Sequence, residues 1–446
     1  VIKRWILAIV LMLGLGLPAP VAAQDPIRVL DQNVDTAFRD YITFNISLDS
    51  NNPITEARLL YRVAGQMATA RGDAEIEPGT QLEASFTIDQ ERDYFPPGTE
   101  LEYWWKITDE AGNELRTEPQ PLSYMDDRHD WQMLNSDRLA LYWYQGDRAF
   151  GEALFDQANK TLDQLETEAG VQVEVPVKIF IYGSFSDLRD AIAVGSQDWT
   201  GGQAFTDQGV VVIGVSPSDL TFGLAATPHE LTHLVVHQAT DNPYGDVPRW
   251  LDEGLAVYMS GELDAGWRGY REEVADSAKA DRLMTLQTLS SSFPADSQQA
   301  GLAYAQSGSV VEFLIQNYGK DAMAELLDIF AEGALYDEAL EQALGVDTWG
   351  LDSAWRDSVG APPLEIPAPS TVETSPATEA PVPVTEEPVL DTTQAQAEAA
   401  ATPSTSEEPS TPANGGLTLP CLGSSLTGVA VIALFVFLRP RGSGTA

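Results

Sequence analysis

The sequence predicts a multidomain chain: an all-β sandwich, an α+β domain, a stalk without fixed structure and one C-terminal spanning helix. Three observations lead there. Residues 24–125 alternate apolar and polar side chains at period two. Residues 126–360 pass from a few apolar strands into a long helical series. Residues 361–438 turn first to Pro, Thr, Ser, Glu and Ala, and then to an uncharged apolar run.

Residues 1–23 carry Lys3 and Arg4, an apolar run, and small residues at Val21 and Ala23. That order is expected of a secretory signal peptide. In 24–125 the segments YITFNISLD, EARLLYRVAG, QLEASFTID and ELEYWWKITD read as strands, with turns at FPPGTE and DEAGNE. Short strands at this spacing predict a sandwich of immunoglobulin or fibronectin type. Trp104 and Trp105 point to opposite faces, one expected in the core and the other toward a neighbouring domain.

In 126–360, DRLALYWYQ, VPVKIFIYGS and QGVVVIGVS read as strands. FGEALFDQANKTLDQLETE has helical spacing, and nearly everything after Leu224 reads as helix. Residues 361–414 contain no Lys, Arg or aromatic residue and cannot bury enough apolar surface to offset ordering entropy. Residues 415–438 are uncharged and precede Arg439 and Arg441. A bilayer core takes roughly 20 apolar residues as helix. The expected layout is a single span with residues 439–446 as cytoplasmic tail and the bulk on the extracellular face. The Leu-Pro-Cys motif, apolar helix and basic tail also resemble bacterial cell-surface sorting signals.

The chain has 446 residues, with 67 Asp+Glu against 25 Lys+Arg, a formal charge of −42. That balance argues against nucleic acid as partner, because phosphate binding needs clustered cations. The lone cysteine, Cys421, leaves no intramolecular disulfide.

Three of the four histidines fall in HELTHLVVHQ, residues 229–238. His229 and His233 are four apart and share a helix face, so their imidazoles can hold one ion, each nitrogen about 2 Å from it. The helix begins either at a Thr227 cap with Pro228 in its first turn, or near Leu220 with a kink at Pro228. His237 lies about 12 Å along the helix from His229, too far for a common ion, and is expected to pack or to support from outside. The third ligand comes from PRWLDEGLAVYMSG: Glu253 lies among apolar residues on a short helix, and a carboxylate there needs a partner. Asp252 points about 100° away, toward solvent or an outer layer of the site. Two neutral histidines and one carboxylate leave a position open for water, the catalytic form of a one-zinc site. Glu230 then faces that water as general base and acid. Its alternative is a capping box with Thr227.

HELTH followed after nineteen residues by the glutamate of WLDEGLA resembles the gluzincin zinc metallopeptidases, the clan of thermolysin and aminopeptidase N, and especially the peptidase MA-like families. The resemblance implies a zincin-like, thermolysin-like catalytic domain over residues 126–360. It implies His229, His233 and Glu253 as ligands to one Zn2+, Glu230 as catalytic base, and a peptide or protein substrate. It also implies Tyr304, fifty-one residues after Glu253, as a second catalytic residue that donates to the oxyanion. In the aminopeptidase branch a glutamate before the zinc helix binds the substrate's free amine. The comparable stretch here is GGQAFT, with Phe205 in that place, which favours internal cleavage. The expected function is therefore a secreted, membrane-anchored zinc endopeptidase. The rival is a cell-surface binding or adhesion protein whose zincin-like domain does no catalysis; an intact Glu230 speaks against it.

Overall fold

The structure, a computed structural model, describes residues 26–192, 201–266 and 268–364. The expected signal peptide, the spanning helix at 415–438, the tail, and all of the expected stalk past residue 364 lie outside the described residues. Among the described residues no helix is long and apolar enough to cross a membrane.

The β region comprises β1 (Ile27–Ala37), β2 (Tyr41–Val63), β3 (Ala70–Asp73), β4 (Gly79–Asp89), β5 (Thr99–Asp109), β6 (Glu114–Arg116) and β7 (Gln120–Tyr124). The two expected strands YITFNISLD and EARLLYRVAG are one strand, the 23-residue β2. Its first half pairs with β1 and β4, its second half with β3 and β5, and the register shifts between Asp49 and Ile54. The region is thus one seven-stranded hydrogen-bonded sheet rather than two separate ones. It folds back on itself. A straight strand would hold Phe44 and Tyr61 about 55 Å apart, yet their ring centroids lie 6.4 Å apart, and Phe44 also meets Tyr103 of β5 at 4.8 Å. Pro53, beside the register shift, has no N–H to give to a ladder. Alternation then fills the interior: Ile42, Phe44, Ile46 and Leu48 are buried, as are Tyr103, Trp105 and Ile107. Trp104 does not face a neighbouring domain; Arg62 and Arg116 of its own sheet cover the ring.

A second sheet has five strands: β8 (Gln132–Asn135), β9 (Leu139–Trp143), β10 (Val177–Tyr182), β11 (Gly202–Phe205) and β12 (Val210–Gly214). Their order is β11-β12-β10-β9-β8, with β9, β10 and β12 parallel and the edge strands β8 and β11 antiparallel to their neighbours. Successive side chains leave opposite faces. Ile179, Ile181, Val211 and Ile213 therefore enter the core shared with the helices, while Phe180, Tyr182, Val210 and Val212 enter the core shared with the β region. The sheet is a common wall between the two cores. At the junction the buried Asp126 accepts from Tyr182 Oη at 2.9 Å and pairs with Arg128.

The helices are α1 (Arg148–Ala169), α2 (Phe185–Ala191), α3 (Leu220–Thr240), α4 (Arg249–Ser260), α5 (Tyr270–Lys279), α6 (Leu286–Leu289), α7 (Ser297–Tyr318), α8 (Lys320–Ala331), α9 (Tyr336–Leu344) and α10 (Thr348–Ser358). The histidine helix α3 takes the longer of the two expected forms. It starts at Leu220 under an Asp219 cap and contains Pro228 in its body. Helix α4 ends at Gly261, whose φ of 72° is the left-handed turn that glycine tolerates best. Where α4 crosses α7, a Cβ on Gly254 would stand 2.5 Å from the Ser307 carbonyl oxygen, so the close crossing needs glycine there. That crossing brings Tyr304 of α7 near the glutamate of α4.

Candidate metal centre

Helix α3 presents His229 and His233 from successive turns, their ring centroids 5.0 Å apart. Helix α4 presents Glu253 to both. Glu253 Oε2 lies 3.6 Å from His229 Nε2 and 3.4 Å from His233 Nε2. One ligand atom from each of the three side chains falls within 4.8 Å of the others, and all three residues are buried. The inner-facing atoms, His229 Nε2, His233 Nε2 and Glu253 Oε2, have no hydrogen-bond partner. Buried polar atoms are normally paired. Three converging without partners, on two imidazoles and a carboxylate, fit a divalent ion of the zinc type.

Of the outward nitrogens, that of His233 is hydrogen-bonded and that of His229 faces a carboxylate beyond hydrogen-bond reach. His233 Nδ1 meets Asp252 Oδ1 at 2.8 Å, so Asp252 holds one nitrogen of the imidazole while Glu253 faces the other. His229 Nδ1 faces Glu262 Oε2 at 3.7 Å, and Glu262 Oε1 accepts from Arg268 Nη2 at 2.8 Å. A carboxylate hydrogen-bonded behind an imidazole, as Asp252 is to His233, fixes ring orientation and tautomer. Glu253 Oε1 accepts from Arg249 Nη2 at 2.7 Å. Sequence reasoning missed Glu262, Arg249 and Arg268. Glu262 follows the glycine that ends α4, and Arg249 stands four residues before Glu253; only the second spacing was a local signal.

These charges shape one another. Burial works against a charged His229, but Glu253 and Glu262 outweigh it and lift the imidazole to about 9. Burial would raise the Glu253 carboxyl; His233, His229 and Arg249 hold it well below the usual range. Glu230 is buried with neither carboxylate oxygen hydrogen-bonded. Burial pushes its carboxyl up to about 7, against the pull of His229 and His233. It does not cap the helix, whose cap is Asp219. Gly202 of edge strand β11 passes directly over it: a Cβ there would lie 2.8 Å from Glu230 Cγ and 2.9 Å from Oε1.

Tyr304 is buried, with its ring 6.4 Å from that of His229 and 5.3 Å from Phe293. Burial first, and then Glu253, push its phenol well above the ordinary range, which keeps it a hydrogen donor. His237 stays out of the group: its Nε2 lies 3.7 Å from Asp246. Phe205 sits at the end of β11, its ring 5.6 Å from Tyr94.

A helix with two histidines one turn apart, a carboxylate from the next long helix and a second carboxylate beside the first histidine define the gluzincin type of zinc metallopeptidase. Residues 157–361 match the family described as the Peptidase MA superfamily, and the cluster of His229, His233 and Glu253 lies within that stretch. The solved M1 zinc metallopeptidase from Deinococcus radiodurans is similar at 12% identity, over 77% of this chain and 97% of that one, with a TM-score of 0.34. A carbohydrate-binding module family 56 β-1,3-glucan-binding domain is similar at 16% identity, over 21% of this chain and 95% of that one, with a TM-score of 0.15. OgpA from Akkermansia muciniphila, solved with an O-glycopeptide, is similar at 10% identity, over 23% of this chain and 30% of that one, with a TM-score of 0.19. These overlaps are too loose to carry a statement about activity. No curated protein matches the chain.

Proposed function

We propose that the protein is a one-zinc metallopeptidase that cleaves peptide bonds within chains. The observation that carries this reading is the convergence of His229, His233 and Glu253 within 4.8 Å, with their inward atoms unpartnered. Glu230 beside them adds a group that a merely structural metal site does not need. A bound divalent ion would supply Lewis acidity and ease deprotonation of water at neutral pH.

The chain's own groups do the rest. His229, His233 and Glu253 hold the ion, and Asp252 fixes the ring of His233. Glu230 takes a proton from the attacking water and delivers it to the departing amine. Its unpartnered, buried carboxylate suits both directions of transfer. Tyr304 is the donor for the developing oxyanion. Edge strand β11, which passes close over Glu230 at Gly202, is the strand along which an extended peptide backbone would lie. Phe205 in place of an amine-binding glutamate supports cleavage away from chain ends. The basic, apolar and small-residue order of 1–23 and the uncharged run at 415–438 support an address on the extracellular face of the membrane.

The test is cleavage of a peptide library by the purified protein, beside Glu230→Gln and a chelated sample. Cleavage in wild type alone is the expected result. Identical product sets from wild type and Glu230→Gln would leave the adhesion reading in its place.

A further inference from the structure

The two oxygens of Glu253 face different partners. Oε2 turns to the histidines and Oε1 to the guanidinium of Arg249, one turn earlier on α4. Arg249 is the first residue of that helix, where a cation opposes the helix dipole, and α4 has no side-chain cap there. Helix stability therefore does not account for its placement. The same guanidinium lies over the Phe293 ring, 5.5 Å from its centroid, and Phe293 meets Tyr304 edge-on. Its charge also acts on the Tyr304 side chain. A planar fork with a free face suits a carboxylate at its edge and a ring at its face together better than a compact ammonium does.

We propose that Arg249 is a positioning residue that ties Glu253 to Tyr304, keeping Glu253 a one-oxygen ligand and setting the tyrosine hydroxyl at the rim of the centre. The proposal rests on the metallopeptidase reading. A carboxylate unpartnered at Oε1 can swing and chelate an ion through both oxygens. That fills the position that water and the substrate carbonyl need. With Oε1 engaged by Arg249, Oε2 alone faces the imidazoles, and any movement of the glutamate is shared with Tyr304.

The experiment compares the full protein with Arg249→Lys, Arg249→Met, Tyr304→Phe and the Arg249→Met/Tyr304→Phe pair. Each is loaded with Co2+ for its visible spectrum, titrated with Zn2+ against a chromophoric chelator, and assayed for kcat and KM on the best library peptide. Melting of the metal-free proteins reports folding. Wild type should give the strong visible bands of four-coordinate cobalt. Arg249→Met should give the weaker bands of five-coordinate cobalt and bind zinc about 10–100-fold more weakly. Its kcat should fall with KM little changed, and the loss should shrink on the Tyr304→Phe background. Arg249→Lys should restore none of this. If Arg249→Met does not fold, Arg249→Lys decides by the same readings. A Lys variant with wild-type spectrum and kcat overturns the proposal, as does a folded Met variant whose spectrum is unchanged. Wild type that cleaves while the Lys variant matches it sinks this inference alone; wild type that takes up no cobalt sinks the metallopeptidase reading with it.

Discussion

Glu230 and Gly202 are read as a pair: a carboxylate with no hydrogen-bond partner, and a backbone that can pass over it only without a side chain. Glu230→Gln keeps size and removes the proposed base. Turnover should fall by about 10²–10⁴-fold, while metal analysis still finds the ion. A loss of metal in that variant would make Glu230 a support for the site rather than a proton carrier. Gly202→Ala puts a methyl 2.8 Å from Glu230 Cγ, so the carboxylate or the strand must move. Displacements near 1 Å at a reacting group can cost about 10²-fold. A Gly202→Ala protein with unchanged kcat would show that β11 has slack over Glu230. At this scale the sequence was most legible. The histidine pair depends only on helical spacing, and Glu253 could be told from its neighbour Asp252 by its place among the apolar residues of the helix. The pairing of Gly202 with Glu230 was not legible, since it joins an edge strand to a helix more than twenty residues away.

Between elements, α4 does two jobs. Asp252 and Glu253 take opposite nitrogens of His233, and Gly254 lets the helix cross α7 closely. Asp252→Ala should weaken zinc binding by about 10–100-fold, read by chelator competition, with far-UV circular dichroism unchanged. Equal affinity would mean that packing alone orients the imidazole. Gly254→Ala places a methyl 2.5 Å from a backbone oxygen that cannot step aside. A loss of about 1–3 kcal/mol in urea unfolding is expected; wild-type stability would mean that the crossing can open freely. The helices α1, α3, α4, α7 and α8 were visible from their apolar periodicity. The outward partners were harder. Asp252 could be placed only as facing solvent or an outer layer, and Glu262 lies past a glycine turn whose direction no local pattern specifies. In the β region, YITFNISLD and EARLLYRVAG read as two strands because Asn51-Asn52-Pro53 has turn chemistry. The strand instead runs on through that stretch, with its pairing shifted in register between Asp49 and Ile54, and bends.

Across the molecule, the five-stranded sheet is buried on both faces, by helices on one and by the β region on the other. The runs VKIFIY and VVVIG announce double burial through their continuous apolar character, but nothing in them says what covers the second face. That is why two adjoining regions were expected and a shared wall was not. Removing residues 26–125 should bare Phe180, Tyr182, Val210 and Val212, giving a product that binds hydrophobic dye and aggregates. A monomeric truncation with the parent melting temperature would mean that the β region is merely appended. The centre itself lies among the helices, on α3 and α4, and its existence is the claim on which the rest depends. Crystals grown with zinc and measured on both sides of the zinc absorption edge test it most directly. One strong anomalous peak is expected about 2 Å from His229 Nε2, His233 Nε2 and a Glu253 oxygen. A zinc-replete crystal with no peak between those three side chains would contradict it.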